Sequence, residues 1–154
     1  MIAKYLWVFF ISMVPVVELR GAIPVGVGME LPRVPVYAVA IIGNVLPVPF
    51  IYLFARKILE WGKDKKLIGG IFTWILEKGE KAGKKITKNG GAGLLLGLML
   101  FVAIPLPGTG AWTGTLAASI LKMRFKDCCI AAMGGVLIAG MIMILVSLGV
   151  FSVV

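Results

Sequence analysis

The sequence predicts an all-α, polytopic membrane protein made of two inverted repeats. Each repeat is a re-entrant helical hairpin plus one transmembrane helix, and an amphipathic cytoplasmic linker joins the two. Three observations predict this. The 154 residues are 60% hydrophobic and 15% charged, with a mean hydropathy of +1.02, whereas soluble domains are about 25% charged. A soluble fold of this size could not hide so much apolar surface. The apolar residues fall into blocks on the scale of a bilayer, and two of those blocks are broken by Pro and Gly at corresponding places.

The chain is read as one membrane domain, 1–154, with the first repeat at 1–55. Its opening block, 5–29, is apolar except for Glu18 and Arg20 and reads MVPVVELRGAIPVGVG across 13–28. Pro15 and Pro24 bracket the charged pair, and a proline within a helix removes a backbone donor. A hairpin with a broken tip is expected; the alternative is one kinked crossing helix. The N-terminus also has the look of a signal peptide, but the motif-like residues behind it and the lack of a soluble domain to export favour retention. The block 34–55 has 22 residues and no charge, enough for one crossing of roughly 20 residues.

The linker, 56–88, holds ten of the sixteen Lys and Arg and four of the seven acids. A basic run flanked by apolar spans reads as a cytoplasmic segment beside anionic lipid. Ile71, Phe72, Ile75, Leu76, Ala82 and Ile86 recur at about helical spacing, with Trp74 as an interfacial anchor. That pattern predicts a helix lying on the membrane surface. Nothing alternates aromatic and basic residues in the manner that stacks bases, so nucleic acid is not an expected partner.

The second repeat, 89–154, opens with 33 uncharged residues, 89–121. This is too long for one upright span and short for two. Pro105, Pro107, Gly108, Gly110 and Gly114 break its middle. A limb of about 15 residues is about 22 Å long, which passes the midplane without crossing. The block 128–154 is a clean span. Its adjacent Cys128 and Cys129 read as packing residues, since they form neither a disulfide framework nor a metal site.

The halves share a layout. Pro15 precedes Pro105 by 90 positions, and Tyr37–Asn44 precedes Cys128–Gly135 by 91. A hairpin plus one crossing is an odd number of passes, so the second half is inserted upside down relative to the first, a recurring transporter plan. Charge orients the whole. A re-entrant 89–121 returns Lys122, Arg124 and Lys126 to the cytoplasm with the linker. Both termini then lie outside, and the hairpins meet near the midplane.

Glu18 and Arg20 carry the chemistry that can be read. Charges deep in a span are costly and face a cavity or a partner. Arg20 is expected to bind an anionic group and Glu18 to take and give a proton; a structural ion pair is the alternative. The other hairpin offers Thr109, Trp112, Thr113, Thr115, Ser119 and open backbone at its glycines. Half-helix N-termini favour anions, so a phosphate or carboxylate fits between Arg20 and Gly108-Thr109-Gly110. The Gly-Lys-Ser/Thr ending of a nucleotide loop is missing. With no His and acids placed beside basic loops, the sequence supports no enzyme, catalytic residue, metal or cofactor.

Glu18-Leu19-Arg20-Gly21-Ala22-Ile23-Pro24, together with Pro105-Leu106-Pro107-Gly108-Thr109-Gly110-Ala111-Trp112-Thr113-Gly114, resembles the small multidrug export family, a compact relative of the DedA (VTT-domain) superfamily. The resemblance covers nearly the whole chain. It implies a prokaryotic plasma-membrane protein, with secondary transport or lipid translocation as its activity. The substrate class it implies is small, amphipathic or anionic, lipid phosphates included, with proton coupling. On it Glu18 and Arg20 match the first motif, and Pro107, Gly108, Thr109, Gly110 and Trp112 match the second. The second hairpin departs from the larger DedA pattern in having no Arg near its Pro-Gly turn, which puts a fully DedA-like phosphate site in doubt. A scaffold without a substrate and a channel are the other readings. The expected partners are membrane lipids, the substrate and a second copy of the chain, because two clean spans give polar hairpins little cover.

Overall fold

The computed structural model describes residues 1–152 except 68, 72, 75, 76, 78–80, 82, 83, 85–90, 107 and 108. Among the described residues there are helices and no strands. Helices α1 (Ile2–Met13) and α2 (Glu18–Gly28) form a first pair, followed by α3 (Arg33–Val45) and α4 (Val48–Gly62). After the linker come α5 (Gly91–Ala103), α6 (Ala111–Ile120) and α7 (Phe125–Ser152). Of the linker positions expected to form an amphipathic face, Ile71 and Trp74 are helical and exposed. Phe72, Ile75, Leu76, Ala82 and Ile86 lie outside the described residues.

Two helical stretches are long and apolar enough to cross a membrane, Arg33–Gly62 with 30 residues and Phe125–Val150 with 26. Together they make the chain a multi-pass membrane protein. The first joins α3 to α4 through two turn residues, Leu46 and Pro47. Pro47 has no N–H to offer the turn behind it, yet both residues keep right-handed helical angles. The two stretches run antiparallel. The Tyr37 hydroxyl donates to the Leu137 carbonyl at 2.9 Å, while Tyr52 donates to the Met123 carbonyl and meets the Phe125 ring edge-on at 5.5 Å. Moving up one helix moves down the other.

Outside the linker, the other helices have 12, 11, 13 and 10 residues. At about 1.5 Å per residue each is under 20 Å long, short of the ~30 Å hydrocarbon core. They pack as two antiparallel hairpins. Lys4 of α1 donates to the Met29 carbonyl just past α2 at 3.0 Å, and Gly114 of α6 faces Val102 and Leu98 of α5. The first hairpin lies against α3 through Gly43, where an added Cβ would stand 2.1 Å from Ser12 Oγ and 2.6 Å from the Phe9 carbonyl. The core runs through both halves: Val8, Leu19, Ile23, Val36, Val102, Cys128 and Val136 are all sealed from solvent.

The two hairpins end alike. In α2 the Glu30 N–H donates to Val27 O and the Leu31 N–H to Gly26 O, at 3.0 and 3.2 Å. In α6 the Lys122 N–H donates to Ser119 O and the Met123 N–H to Ala118 O, at 3.2 and 3.0 Å. Both are Schellman caps, with a left-handed residue at the same place. Glu30 has φ 59° and Lys122 φ 53°, and they stand 92 positions apart. Leu31 and Met123, the next residues, are both buried.

Candidate functional site

The break in the second hairpin creates the problem that the site solves. Pro105 cannot continue α5, so the Ile104 and Leu106 carbonyls lie outside any helix and accept only turn bonds from the backbone, from the Leu106 N–H at 2.9 Å and the Thr109 N–H at 3.2 Å. On the far side α6 starts at Ala111 behind Gly110, with no local side-chain cap. The first N–H groups of a helix have no partner inside it. In hydrocarbon each unpaired backbone group costs several kcal/mol.

Side chains from the first hairpin answer both ends. Arg20 donates through Nη2 to the Ile104 carbonyl at 3.0 Å and to Thr109 Oγ1 at 2.9 Å, and through Nη1 to the Leu106 carbonyl. The Thr109 hydroxyl lies 2.7 Å from the Ile104 carbonyl and 2.8 Å from the Leu106 carbonyl, close enough to donate to either. Glu18 takes the other end. Its Oε1 accepts from the Trp112 N–H at 3.1 Å and its Oε2 from the Ala111 N–H at 3.3 Å. The Trp112 indole donates to the Met13 carbonyl at 3.1 Å, which ties α6 to the end of α1.

Local backbone explains why Glu18 and Arg20 reach across. Val16 and Glu18 have φ of 77° and 51°, left-handed angles that are rare for non-glycine residues and costly for a β-branched one. Two such residues within three positions turn the chain sharply at the tip. Glu18 becomes the first residue of α2, whose N-terminus also has no local side-chain cap. Two helix N-termini therefore converge on one carboxylate, each contributing partial positive charge. Glu18 is only 3% exposed. Gly110 makes room for it: with φ at 144°, a Cβ there would lie 2.2 Å from Glu18 Oε2.

The structure thus gathers Glu18, Arg20, Thr109, Gly110 and Trp112. Glu18 and Arg20 bind different ends of the broken hairpin. Glu18 also sits where the sequence placed an external anion, at the N-terminus of α6. Thr113 is exposed, while Thr115 and Ser119 are buried and bonded to the Ala111 and Tyr52 carbonyls. Pro107 and Gly108 lie outside the described residues. The Met13, Ile104 and Leu106 carbonyls are not legible in the sequence, because a backbone acceptor leaves no signature in residue type. The structure adds Asn44, which is 1% exposed and has neither end of its carboxamide bonded. Its one signal in the sequence is a lone Asn in an otherwise apolar span.

No curated protein matches the chain, and no solved structure does. A family does, over residues 18–142, so the match begins at Glu18 and takes in both hairpin motifs. That family and the two long apolar helices give the chain a non-enzymatic, transport-related role in the membrane. The chain belongs to the family described as "Putative small multi-drug export protein".

Proposed function

We propose that the protein is a secondary transporter or lipid translocase, driven by protons, for a small amphipathic or anionic substrate. Lipid phosphates are one such class. The observation that carries this reading is the capping across hairpins. Glu18 occupies donors that would otherwise bind an anion, namely the Ala111 and Trp112 N–H groups, with the Arg20 cation beside them. Protonating Glu18 weakens its charge-assisted bonds and frees these donors. A substrate anion then takes the place of the carboxylate, at a site formed by Glu18, Arg20, Pro107, Gly108, Thr109, Gly110, Trp112 and Thr113. Loading requires the proton, which couples the two.

In this reading 1–55 and 89–154 are inverted repeats whose hairpins enter from opposite faces. The antiparallel long helices support it, as do the Schellman caps 92 positions apart. So do two matching clefts at the hairpin bases. One, of about 410 Å³, is lined by Met1, Lys4 and residues 29–32. The other, of about 280 Å³, is lined by Gly91, Leu94, residues 121–124 and Asp127. The linker 56–88 is cytoplasmic in this arrangement, and the working unit is a homodimer that covers the hairpin tips.

Glu18→Gln tests the function. Gln keeps the volume and one acceptor but holds no charge, so the protein should stay folded in vesicles. Proton-driven uptake of the substrate should fall at least tenfold. A variant that folds and retains flux removes Glu18 from the coupling. A cellular phenotype untouched by the variant would favour the scaffold.

A further inference from the structure

Among the described residues, a large concavity lies between α4 and α6, beside the capped tip. It is an open groove of about 470 Å³, lined by Phe50, Phe54 and Ile58 on α4, Trp112 and Leu116 on α6, and Met13. Its size falls within the range of small-molecule sites, roughly 300–1,000 Å³, yet its walls offer almost no polar surface. From Leu46 to Ile58, both of which line it, the helix rises about 18 Å. One leaflet of a ~30 Å hydrocarbon core is about that deep. The inner end stops at Trp112, beside the capped tip. The outer end runs along the same helix face to Trp61, where the Lys65 ammonium sits 4.3 Å over the indole ring. An apolar channel one leaflet deep, finished by an indole and an ammonium at headgroup level, has the outline of a lipid.

We infer that this groove holds one acyl chain of an anionic phospholipid, with the phosphate at Trp61 and Lys65. The occupant is a component of the bilayer, and the inference stands apart from the transport reading. Charge decides the lipid class. Residues 56–66 carry five basic groups and two acids, and a Lys near the surface is worth about 1 kcal/mol toward anionic lipid. The geometry decides the place: the stripe Phe50, Phe54, Ile58 and Trp61 runs along α4, and Lys65, just past the helix end, folds its ammonium over Trp61. Because Trp112 lines the groove and its backbone N–H binds Glu18, the chain end would brace the N-terminus of α6.

The test uses the full chain in phosphatidylcholine vesicles and measures tryptophan quenching by lipids with brominated acyl chains. The signal of Trp112 is the difference between the parent and Trp112→Phe, with Trp61 kept in both. Brominated phosphatidylglycerol should quench Trp112 about fivefold more effectively than brominated phosphatidylcholine, the factor that one such Lys contact supplies. Lys65→Gln should bring the two lipids close to parity, while Lys66→Gln should leave the preference standing. Equal loss in both variants would mean diffuse surface attraction and overturn the site. So would equal quenching by both lipids in the parent. Trp112 shielded from both lipids, the result of a second copy seated in the groove, would also overturn it.

Discussion

Gly110→Ala should destabilise the protein by about 3–5 kcal/mol, more than any other single methyl group added near the site. Two costs combine. The backbone at Gly110, with φ 144° and ψ −174°, lies in a region that is essentially restricted to glycine and costs other residues about 1–3 kcal/mol. The new methyl would also stand 2.2 Å from Glu18 Oε2, so the carboxylate must leave. Its hydrogen bonds to the Ala111 and Trp112 N–H groups go with it, and a bond to a charged group contributes about 1.5–3 kcal/mol. For a domain of this size the midpoint of thermal unfolding should drop by about 10 °C, measured on purified protein by near-ultraviolet circular dichroism. A second variant, Gly110→Ala combined with Glu18→Ala, separates the costs. Removing the carboxylate relieves the clash and leaves the backbone strain, so the double mutant should lose clearly less than the sum of the singles. Additive losses would mean that the contact between Gly110 and Glu18 does not exist in the folded protein.

Arg20→Ala should cost about 3 kcal/mol and loosen the second hairpin, 86 positions away. The guanidinium bonds the Ile104 and Leu106 carbonyls and the Thr109 hydroxyl. Without it those carbonyls keep only their backbone turn bonds and the Thr109 hydroxyl, and Glu18 loses a nearby positive charge. Some of the loss is returned, because a partly desolvated cation is no longer carried into the membrane. Arg20→Lys should restore less than half. A single ammonium cannot span three acceptors as the planar fork does. Hydrogen exchange read by mass spectrometry should show faster exchange across 104–112 in both variants. A stable Arg20→Ala protein with unchanged exchange there would remove the clamp and leave Arg20 free for substrate alone.

Much of this arrangement was legible in the sequence, and the reasons are physical. Charges in an apolar block need a partner, which singled out Glu18 and Arg20. Prolines cannot continue a helix, which located the breaks near Pro15 and Pro105. Block lengths read against the bilayer gave two helices long enough to cross and two broken segments. The helix ends were less legible. The block 34–55 ends at the first charge, yet α4 runs on to Gly62. Arg56, Lys57, Leu59 and Glu60 are good helix formers, and Arg56 and Glu60 pair at 3.3 Å. Hydropathy marks where a chain leaves hydrocarbon, and hydrogen bonding marks where a helix stops. The Schellman caps at Glu30 and Lys122 were hidden for a similar reason, since glycine is the usual signal and neither residue is glycine. The pairing of Glu18 with one end of the broken hairpin and Arg20 with the other depends on backbone groups, and no residue letter records them.

In the proposed arrangement two hairpins enter from opposite faces and meet where Glu18 and Arg20 cap the broken backbone. The most direct measurement places single cysteines at Glu30 and Lys122, the equivalent turns at the two hairpin bases, in a Cys128→Ser, Cys129→Ser background. Labelling with a membrane-impermeant maleimide from each side of sealed vesicles should reach Glu30→Cys from outside and Lys122→Cys from the cytoplasmic side, the side that also reaches Lys65→Cys. Labelling of both turns from the same side would contradict the inverted arrangement, and with it the meeting of the two tips inside the membrane.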